Sequence, residues 1–258
     1  MQQINHNAEA KELGLTLLDI GIALLNSGAS ISRIRITMNR IAHAFDYETD
    51  INIQHKSISL TLNNEDDIPQ FNGLRSTASH VINFRLISGI SRMSWNVVTK
   101  GLSLGEIRAE LERLSSLPHY PRLVVLSLVS LADSAFCFAF GGNAIELAIT
   151  FVATFIGLFI RQEAVKKKFN FYFCVFFGSL AASLVSGAFI KFGIVVNAEH
   201  AFATSVLFLV PGIPLINSFT DLIDGNIQNG LVRGINGLMI AFSIALGLLV
   251  AMNIYNIR

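Results

Sequence analysis

The segment 210–217 reads VPGIPLIN and interrupts a long apolar run. Pro211 and Pro214 have no amide hydrogen, so the carbonyls of Leu207 and Val210 are predicted to lose their usual helical partners. In hydrocarbon an unpaired backbone group is costly, so broken backbone is tolerated only where protein or water covers it. Transporters place substrates at such interruptions, near the bilayer midplane. The segment therefore predicts a broken transmembrane span and a candidate binding site, with a simple proline kink as the alternative.

The composition is that of a membrane protein. Of 258 residues, 52% are hydrophobic and 14% are charged, and the mean hydropathy is +0.54. The net charge of +1 gives no support for nucleic-acid binding. Charged residues concentrate in the first half of the chain, whereas the second half is strongly apolar. We therefore predict a cytoplasmic α+β domain over residues 1–118 and a membrane domain over residues 119–258.

Regular hydrophobic periodicity marks six segments of the N-terminal domain. Four have helical spacing, and they are residues 8–26, 30–45, 91–100 and 103–114. Two alternate and predict strands, and they are residues 51–62 and 79–87. Ser30 is placed to cap the second helix. Ser103 and Glu106 have the spacing of a capping box, which predicts the start of the fourth helix.

Beyond Pro118 the sequence contains five apolar runs, each near the roughly 20 residues that a helix needs to cross a bilayer. The predicted spans are Arg122–Phe140, Asn143–Ile160, Phe171–Ile190, Ala201–Phe219 and Leu231–Tyr255. The fold class is therefore an α-helical polytopic membrane protein with five transmembrane helices. Small residues in the third and fifth spans predict close contacts between helices.

Basic residues predict the orientation of these spans. Four of them lie in residues 161–168, between the second and third spans, while Arg122 precedes the first span and Arg233 follows the fourth. The positive-inside rule places these segments in the cytoplasm together with the N-terminal domain. With five spans the C-terminus then lies on the periplasmic side of a bacterial inner membrane.

Acidic residues inside the apolar runs are candidates for transport chemistry, because they are costly there and usually face a cavity or a partner. Asp133 lies mid-way along the first span, where an acid costs about 2.5–3.5 kcal/mol on insertion scales. It is either a neutral acid bonded to a hydroxyl such as that of Ser134, or a proton carrier or substrate ligand. Glu146, near the outer end of the second span, is predicted to be a solvated interfacial carboxylate.

A second group of polar residues follows the break. Asn217 and Asp221 are four residues apart and can share one helix face, and Arg233 can pair with Asp221 across the next turn. If the second half-helix begins at Pro214, its free amides and its dipole favour an anionic group. The candidate substrate-binding residues are Pro211, Gly212, Pro214, Asn217, Asp221 and Arg233. Asp133 is the candidate for proton coupling.

Signals for an enzyme are missing from the sequence. It contains no nucleophile elbow, P-loop or HExxH motif, and its histidines lack metal-ligand spacing. We therefore predict no catalytic residues, no cofactor and no metal. Cys137 and Cys174 lie in apolar runs and are predicted to be buried thiols rather than a disulfide or a metal pair.

The sequence around the break resembles the threonine/serine exporter family. The matching features are VPGIPL at 210–215, Asp221, Gly230 and Arg233, SGAS at 27–30 with Arg33, and FCFAFGGN at 136–143. The resemblance covers nearly the whole chain. Family members that are longer join two membrane halves in one chain, and this chain resembles the first half. The arrangement is similar to that of a larger subunit acting with a second small membrane subunit.

This resemblance implies export of a small carboxylate, with succinate as the first candidate. The expected partners are the second small membrane subunit, the carboxylate substrate and the lipid bilayer. A homo-oligomer is the alternative way to complete the site. Two other functions stay open: export of threonine or serine, and a non-transporting membrane scaffold or sensor whose activity depends on the N-terminal domain.

Overall fold

The structure is a computed structural model that describes residues 2–77, 82–118, 120–192 and 199–256, and most of these residues are helical. The helices are α1 (Gln2–Asn26), α2 (Ile31–His43), α3 (Phe84–Lys100), α4 (Leu104–Ser115), α5 (Arg122–Ala139), α6 (Ala144–Lys166), α7 (Phe171–Lys191), α8 (Glu199–Thr204), α9 (Gly212–Ile223) and α10 (Ile227–Tyr255). A short 3₁₀ helix, Leu207–Leu209, lies between α8 and α9. The strands are β1 (Glu48–Ile53), β2 (Ser57–Asn63) and β3 (Pro69–Ser76).

Internal contacts divide the chain into two compact units. The first unit comprises Met1–Pro118 and Ile213–Gly234, and the second comprises His119–Gly212 and Ile235–Arg258. The segment that contains most of α9 and the start of α10 therefore belongs to the same unit as the N-terminal helices and strands.

The first unit has its hydrophobic core between the N-terminal helices and one face of the sheet. The strands form an antiparallel sheet in the order β1-β2-β3. Ile51 of β1 pairs with Leu60 of β2, and alternate residues of β2 are buried. Leu13, Leu17 and other apolar residues of α1, together with the buried face of α2, complete this core.

Most predicted elements of this unit are confirmed. Ser30 caps α2, and Ser103 with Glu106 forms the predicted capping box at the start of α4. The strand predicted over 79–87 is wrong where it can be examined. Residues 79–81 lie outside the described residues, and Phe84 begins α3 behind an Asn83 cap. The third strand lies earlier, at Pro69–Ser76, where none of the residues is fully buried and Pro69 and Gly73 interrupt the apolar alternation.

The second unit is built from helices that approach closely through small residues. A Cβ atom on Gly157 of α6 would lie 2.7 Å from the carbonyl oxygen of Gly178 on α7. A Cβ on Gly187 would lie 2.7 Å from the ring of Tyr255. The small-residue contact predicted for the third span is therefore confirmed, since side chains there would separate the helices. Cys137 and Cys174 are both buried and free.

Four of the described helices, α5, α6, α7 and α10, are long and apolar enough to cross a bilayer. The segments His200–Leu209 and Gly212–Ile223 meet the same criteria only as a pair, and they are bent by 60° at the break. The chain is thus a multi-pass membrane protein with four spans, or five if the bent pair counts as one. The interruption predicted at VPGIPLIN is confirmed.

The backbone carbonyls at this break have more hydrogen-bond partners than the sequence predicted. The carbonyl of Leu207 accepts from the amide of Val210 (3.0 Å), and that of Val210 accepts from the amide of Gly212 (2.9 Å). The prediction that both carbonyls lose their usual helical partners is confirmed, but tight turns supply other donors, so neither carbonyl is left unpaired. Since α9 begins at Gly212, whose amide already donates to Val210, and Pro214 has no amide hydrogen, the first turn offers fewer free amides than the sequence predicted.

Candidate functional site

A short loop between α1 and α2, residues 27–30, presents backbone groups to the rest of the first unit. Gly28 has a φ of +84°, a left-handed conformation that glycine adopts without strain. The amides of Gly28 and Ala29 donate to the carbonyls of Leu25 and Leu24 and close the end of α1. The carbonyl oxygens of Gly28 and Ala29 are left to accept hydrogen bonds from other elements.

Two side chains that follow the break bind these carbonyls. Asn217 Nδ2 on α9 donates to the Gly28 oxygen, and Arg233 Nη2 on α10 donates to the Ala29 oxygen, both at 2.8 Å. Two segments that are about 190 residues apart in sequence, SGAS at 27–30 and the region after VPGIPL, are therefore joined directly.

Asp221 completes this attachment. Its carboxylate is fully buried, and Oδ1 accepts from the amide of Ile31, the first residue of α2, at 3.0 Å. The first amides of a helix have no acceptor within the helix, and the helix dipole favours an anion there. Oδ2 lies 2.8 Å from Nη1 of Arg233, so the predicted ion pair is present and buried. We call Asn217, Asp221, Arg233 and the 27–30 loop the loop-binding cluster.

The guanidinium of Arg233 is not fully used by this cluster. Its Nη1 and the Oδ2 of Asp221 are close enough for an ion pair, but neither atom makes a well-aligned hydrogen bond within the described part of the chain. Arg233 therefore keeps unused donor capacity while its charge is balanced by Asp221. A carboxylate oxygen is the natural acceptor for such a donor.

Further contacts hold α9 and the start of α10 in the first unit. Asn229 Nδ2 donates to the carbonyl of Ile53 on β1 at 2.8 Å. Ser218 Oγ donates to the carbonyl of Gly230 at 2.7 Å, and a Cβ on Gly230 would lie 2.6 Å from Leu222. The two helices thus form a tight hairpin whose position is fixed by the sheet as well as by the loop.

A second polar group lies in the second unit, around Asp133. This residue is 4% exposed, and its Oδ2 accepts from Thr154 Oγ1 (3.0 Å) and from the amide of Phe208 (3.2 Å). In an unbroken helix the Phe208 amide would bond to Thr204, so the end of α8 releases it for Asp133. The hydroxyl partner is Thr154 rather than the predicted Ser134, which donates to the backbone instead.

Buried hydroxyls extend this group across four helices. Thr154 Oγ1 also lies 3.3 Å from the carbonyl of Ser205, whose hydroxyl is 3.3 Å from that of Ser186. The hydroxyls of Thr150 and Thr204 are 3.3 Å apart. The intramembrane polar cluster, as we call it, consists of Asp133, Glu146, Thr150, Thr154, Ser186, Thr204 and Ser205.

Glu146 is joined to this cluster through its backbone carbonyl, which accepts from the hydroxyl of Thr150 at 2.9 Å, and its side chain is buried. The prediction of a solvated carboxylate is wrong, since only 3% of the residue is exposed. Its Oε2 accepts from the amide of Asn143 at 2.9 Å, in a capping box that turns the side chain back over the start of α6. Its Oε1 has no hydrogen-bond partner among the described residues. The cluster therefore includes a second acid with an unused acceptor.

Comparison with known proteins assigns the chain to a family. The model of the threonine/serine exporter family, ThrE, matches residues 16–255. The chain belongs to this family. Two curated relatives carry the name "Probable succinate transporter subunit YjjP". That of Escherichia coli K12 is 26% identical over 93% of this chain and 94% of its own length, and that of Klebsiella aerogenes is 23% identical over 97% of both. No solved structure matches the chain.

Membership in an exporter family confirms the prediction of a membrane transporter that is not an enzyme. Both polar clusters of this exporter contain residues that the sequence singled out. The structure brings Asn217, Asp221 and Arg233 together, and it places Asp133 in a different unit. Among the described residues, no group of three or more His, Cys, Asp or Glu side chains is arranged to hold a metal ion.

Several functional candidates were missed by the sequence. Glu146 was set aside because it lies near a span end, although its position three residues after Asn143 is a capping-box signal that predicts a folded-back side chain. Asn229 has no sequence pattern that separates it from other polar residues. The binding of the 27–30 loop by Asn217 and Arg233 could not be derived, because no local periodicity reports a contact over such a distance.

Proposed function

We propose that this chain is the larger subunit of a bacterial inner-membrane exporter for a small carboxylate, first of all succinate, acting with a second small membrane subunit. The observation that carries the proposal is the buried guanidinium of Arg233, which follows a broken span and is paired by only one acid. The relatives named as succinate transporter subunits support the substrate and the word subunit supports the partner.

Arg233 is the proposed ligand of the substrate carboxylate. In the structure Nη1 is paired with Asp221 and Nη2 donates to the carbonyl of Ala29, so a substrate carboxylate that takes both Nη groups has to replace Ala29 as an acceptor. This exchange would release the 27–30 loop and leave the Asp221 pair in place, so that one guanidinium would hold two carboxylates. Arginine suits this role because its planar fork can bind a carboxylate with two parallel hydrogen bonds.

The other predicted site residues have supporting roles in this proposal. Pro211, Gly212 and Pro214 prevent a continuous helix and so keep the break available to substrate. Asn217 donates to the Gly28 carbonyl and would lose this hydrogen bond when the loop is released. The first turn of α9, in which Gly212 already donates to Val210 and Pro214 has no amide hydrogen, is a weaker anion ligand than the free helix end expected from the sequence.

Proton coupling is assigned in this proposal to the intramembrane polar cluster. Asp133 can hold a proton in place of accepting from Thr154 or Phe208, and the neighbouring hydroxyls can both donate and accept. Glu146 offers a second buried acceptor at the end of the row. Intramembrane acids in such surroundings commonly form proton relays.

The loop-binding cluster supports the five-span topology. The α5 helix starts on the side of the N-terminal domain, so crossings by α5, α6 and α7 take the chain to the opposite side. Asn217 and Arg233 nevertheless contact the 27–30 loop of that domain. The bent pair therefore has to cross back, and α10 crosses once more. With the basic residues in the cytoplasm, the C-terminus is periplasmic.

A reporter fused to the C-terminus tests this topology. We expect a periplasmic reporter such as an alkaline phosphatase to be active and a reporter that works only in the cytoplasm to be inactive. The reverse pattern would contradict five crossings. A matched fusion after Ser115, at the end of α4, should give the cytoplasmic result in the same cells.

Counter-flow in proteoliposomes tests the substrate and the partner. Vesicles with this chain and the candidate second subunit should exchange labelled succinate, whereas vesicles with either chain alone should not. Succinate exchange by the lone chain at the full rate would exclude the two-subunit proposal and favour a homo-oligomer. Exchange of labelled serine or threonine in place of succinate would establish the alternative that the family description favours. Failure of all three substrates with both chains present would favour the scaffold or sensor.

A further inference from the structure

A pocket of about 490 Å³ lies in the second unit among the ends of α5 and α6. Part of its wall is cationic and part is apolar. The cationic residues are Arg122, Arg161 and Lys166, and the apolar surface comes from Tyr120, Val125 and Val165. Because α5 begins at Arg122 and α6 ends at Lys166, the pocket lies at the level where two spans leave the apolar layer.

Two of the three cations share one acid. Glu163 accepts from Nη1 of Arg122 and from Nζ of Lys166, the latter at 3.0 Å. Arg122 also donates from Nε to Gln162 Oε1 at 2.7 Å. These contacts order the cationic wall but leave it with an excess of positive charge.

Arg161 supplies that excess. Its guanidinium forms no ion pair with a described carboxylate, and its Nε is buried without a hydrogen-bond acceptor in the part of the chain that the structure describes. The ring centroid of Phe171 lies 5.8 Å from Cζ of Arg161. Because Arg161 lines the pocket and no described carboxylate neutralises its charge, an anion in the pocket would be attracted to it.

The residues around the pocket are those of a membrane–water interface. Lys167 and Lys168 follow directly and are exposed. Tyr120, Phe169 and Phe171 present exposed aromatic rings, with 73% of Tyr120 accessible. Aromatic residues concentrate at the headgroup level of membranes, and basic pockets between transmembrane helices bind anionic headgroups. The phosphate of a lipid therefore lies at the same depth as the pocket.

We propose that this pocket binds the phosphate of an anionic phospholipid, with Arg161 and Lys166 as the phosphate ligands. Val125 and Val165 would contact the glycerol and the first part of an acyl chain. Phosphate and carboxylate ions from solution share the negative charge, but they have no apolar part to match this wall. The proposal is independent of the exported substrate, since none of these residues belongs to either polar cluster.

Native mass spectrometry of the purified full chain tests the site. The detergent-solubilised protein is titrated with phosphatidylglycerol and, in parallel, with phosphatidylcholine. We expect retention of phosphatidylglycerol only, and we expect Arg161→Gln to weaken it about fivefold or more. Lys167→Gln is the matched control, because it removes the same charge from an exposed position outside the pocket lining. Equal weakening by both variants would show a diffuse surface attraction and overturn the proposal.

Two further measurements distinguish a lipid from a soluble anion and control for misfolding of the variants. Addition of succinate or inorganic phosphate should leave the bound phosphatidylglycerol in place, and displacement by either would make the pocket a site for soluble anions. Arg161→Lys keeps the charge without the planar fork and should restore part of the retention. If Arg161→Gln does not fold, Lys166→Gln carries the same comparison, and unchanged lipid binding in that variant would contradict the assignment.

Discussion

The two polar clusters differ in what their side chains bind. In the loop-binding cluster, Asn217, Asp221 and Arg233 all contact backbone groups of one short loop or the amide that follows it, and the two charges neutralise each other. In the intramembrane polar cluster, Asp133 accepts from the hydroxyl of Thr154 and from a backbone amide, and Glu146 Oε1 has no partner among the described residues. The first arrangement fixes a conformation, whereas the second keeps the capacity to take up a proton.

The two clusters match two different requirements of a carrier, alternating access and coupling. Alternating access needs contacts that hold one state until substrate arrives, and backbone carbonyls bound by Asn217 and Arg233 are suited to that role because water can replace them. Coupling needs a group whose protonation can change without loss of the surrounding structure. Asp133 satisfies this, since Thr154 can accept from it as readily as donate to it. The predictions below change one property of one cluster at a time.

The largest effect is expected from removing one charge of the buried pair. Asp221→Asn or Arg233→Gln leaves an uncompensated charge in a buried place, which costs about 3–5 kcal/mol. We expect a clear fall in the thermal unfolding temperature of the purified protein in detergent, together with lost export. Asp224→Asn is the matched control, because Asp224 is exposed one turn further along. Equal stability of Asp221→Asn and Asp224→Asn would show that the pair is not buried.

The next effect concerns the break that precedes the loop-binding cluster. Pro211→Ala with Pro214→Ala should allow a continuous helix, since alanine restores both missing donors and favours helix. We expect export to be lost while the protein still inserts and reaches the membrane in normal amounts. Pro118→Ala with Pro121→Ala, in the connection before α5, is the control for removal of two prolines outside the break. Normal export by the first double variant would show that the break serves packing alone.

A smaller effect is expected in the intramembrane polar cluster. Asp133→Asn keeps the size of the side chain and removes the carboxyl group that can gain or lose a proton, so export should fall by about tenfold, comparable to one lost hydrogen bond to a charged group. The remaining transport should lose its dependence on pH. Ser134→Ala, one residue away, removes a hydroxyl that bonds only to backbone and should leave the pH profile unchanged. An unaltered pH profile in Asp133→Asn would assign that residue a structural role.

The part of this architecture that follows from local chemistry could be predicted from the sequence. The break at Pro211, the cap at Ser30, the capping box at Ser103 and the apolar spans each depend on a few neighbouring residues. The pair of Asp221 and Arg233 was also accessible, because one helical hairpin separates them. Such features need no knowledge of the packing of distant elements.

The features that the sequence did not predict depend on packing between distant segments or on local adjustments of the backbone. The partners of the Gly28 and Ala29 carbonyls are nearly 200 residues away, and no periodicity encodes them. The carbonyls of Leu207 and Val210 lose their helical partners as predicted, but the tight turns that supply new donors were not predicted, because they depend on the local path of the backbone. Glu146 was judged by its distance from a span end, although its capping contact decides its burial.

The smallest expected effect compares two capping boxes, one in each unit. Glu106 and Glu146 make the same contact with the amide three residues earlier, but Glu106 is exposed whereas Glu146 is buried. The hydrogen bonds from the backbone amide and then the hydroxyl of Ser103 lower the pKa of Glu106. A lowered pKa in the folded state stabilises the protein at pH values above the ordinary glutamate pKa, and this contribution is lost as the pH falls through the lowered value.

Glu106→Gln should therefore increase hydrogen exchange at the start of α4 near neutral pH, by no more than a few-fold, because an exposed cap contributes little. The difference in exchange rate from the unmodified protein should shrink as the pH falls below the pKa of an ordinary carboxyl group, because Glu106 itself then becomes neutral. Glu112→Gln is the control on the same helix, since that side chain is exposed and outside the capping box. A difference that persists unchanged in acid would mean that the charge of Glu106 is not what caps α4, and the contrast with the buried Glu146 would then lie in burial alone.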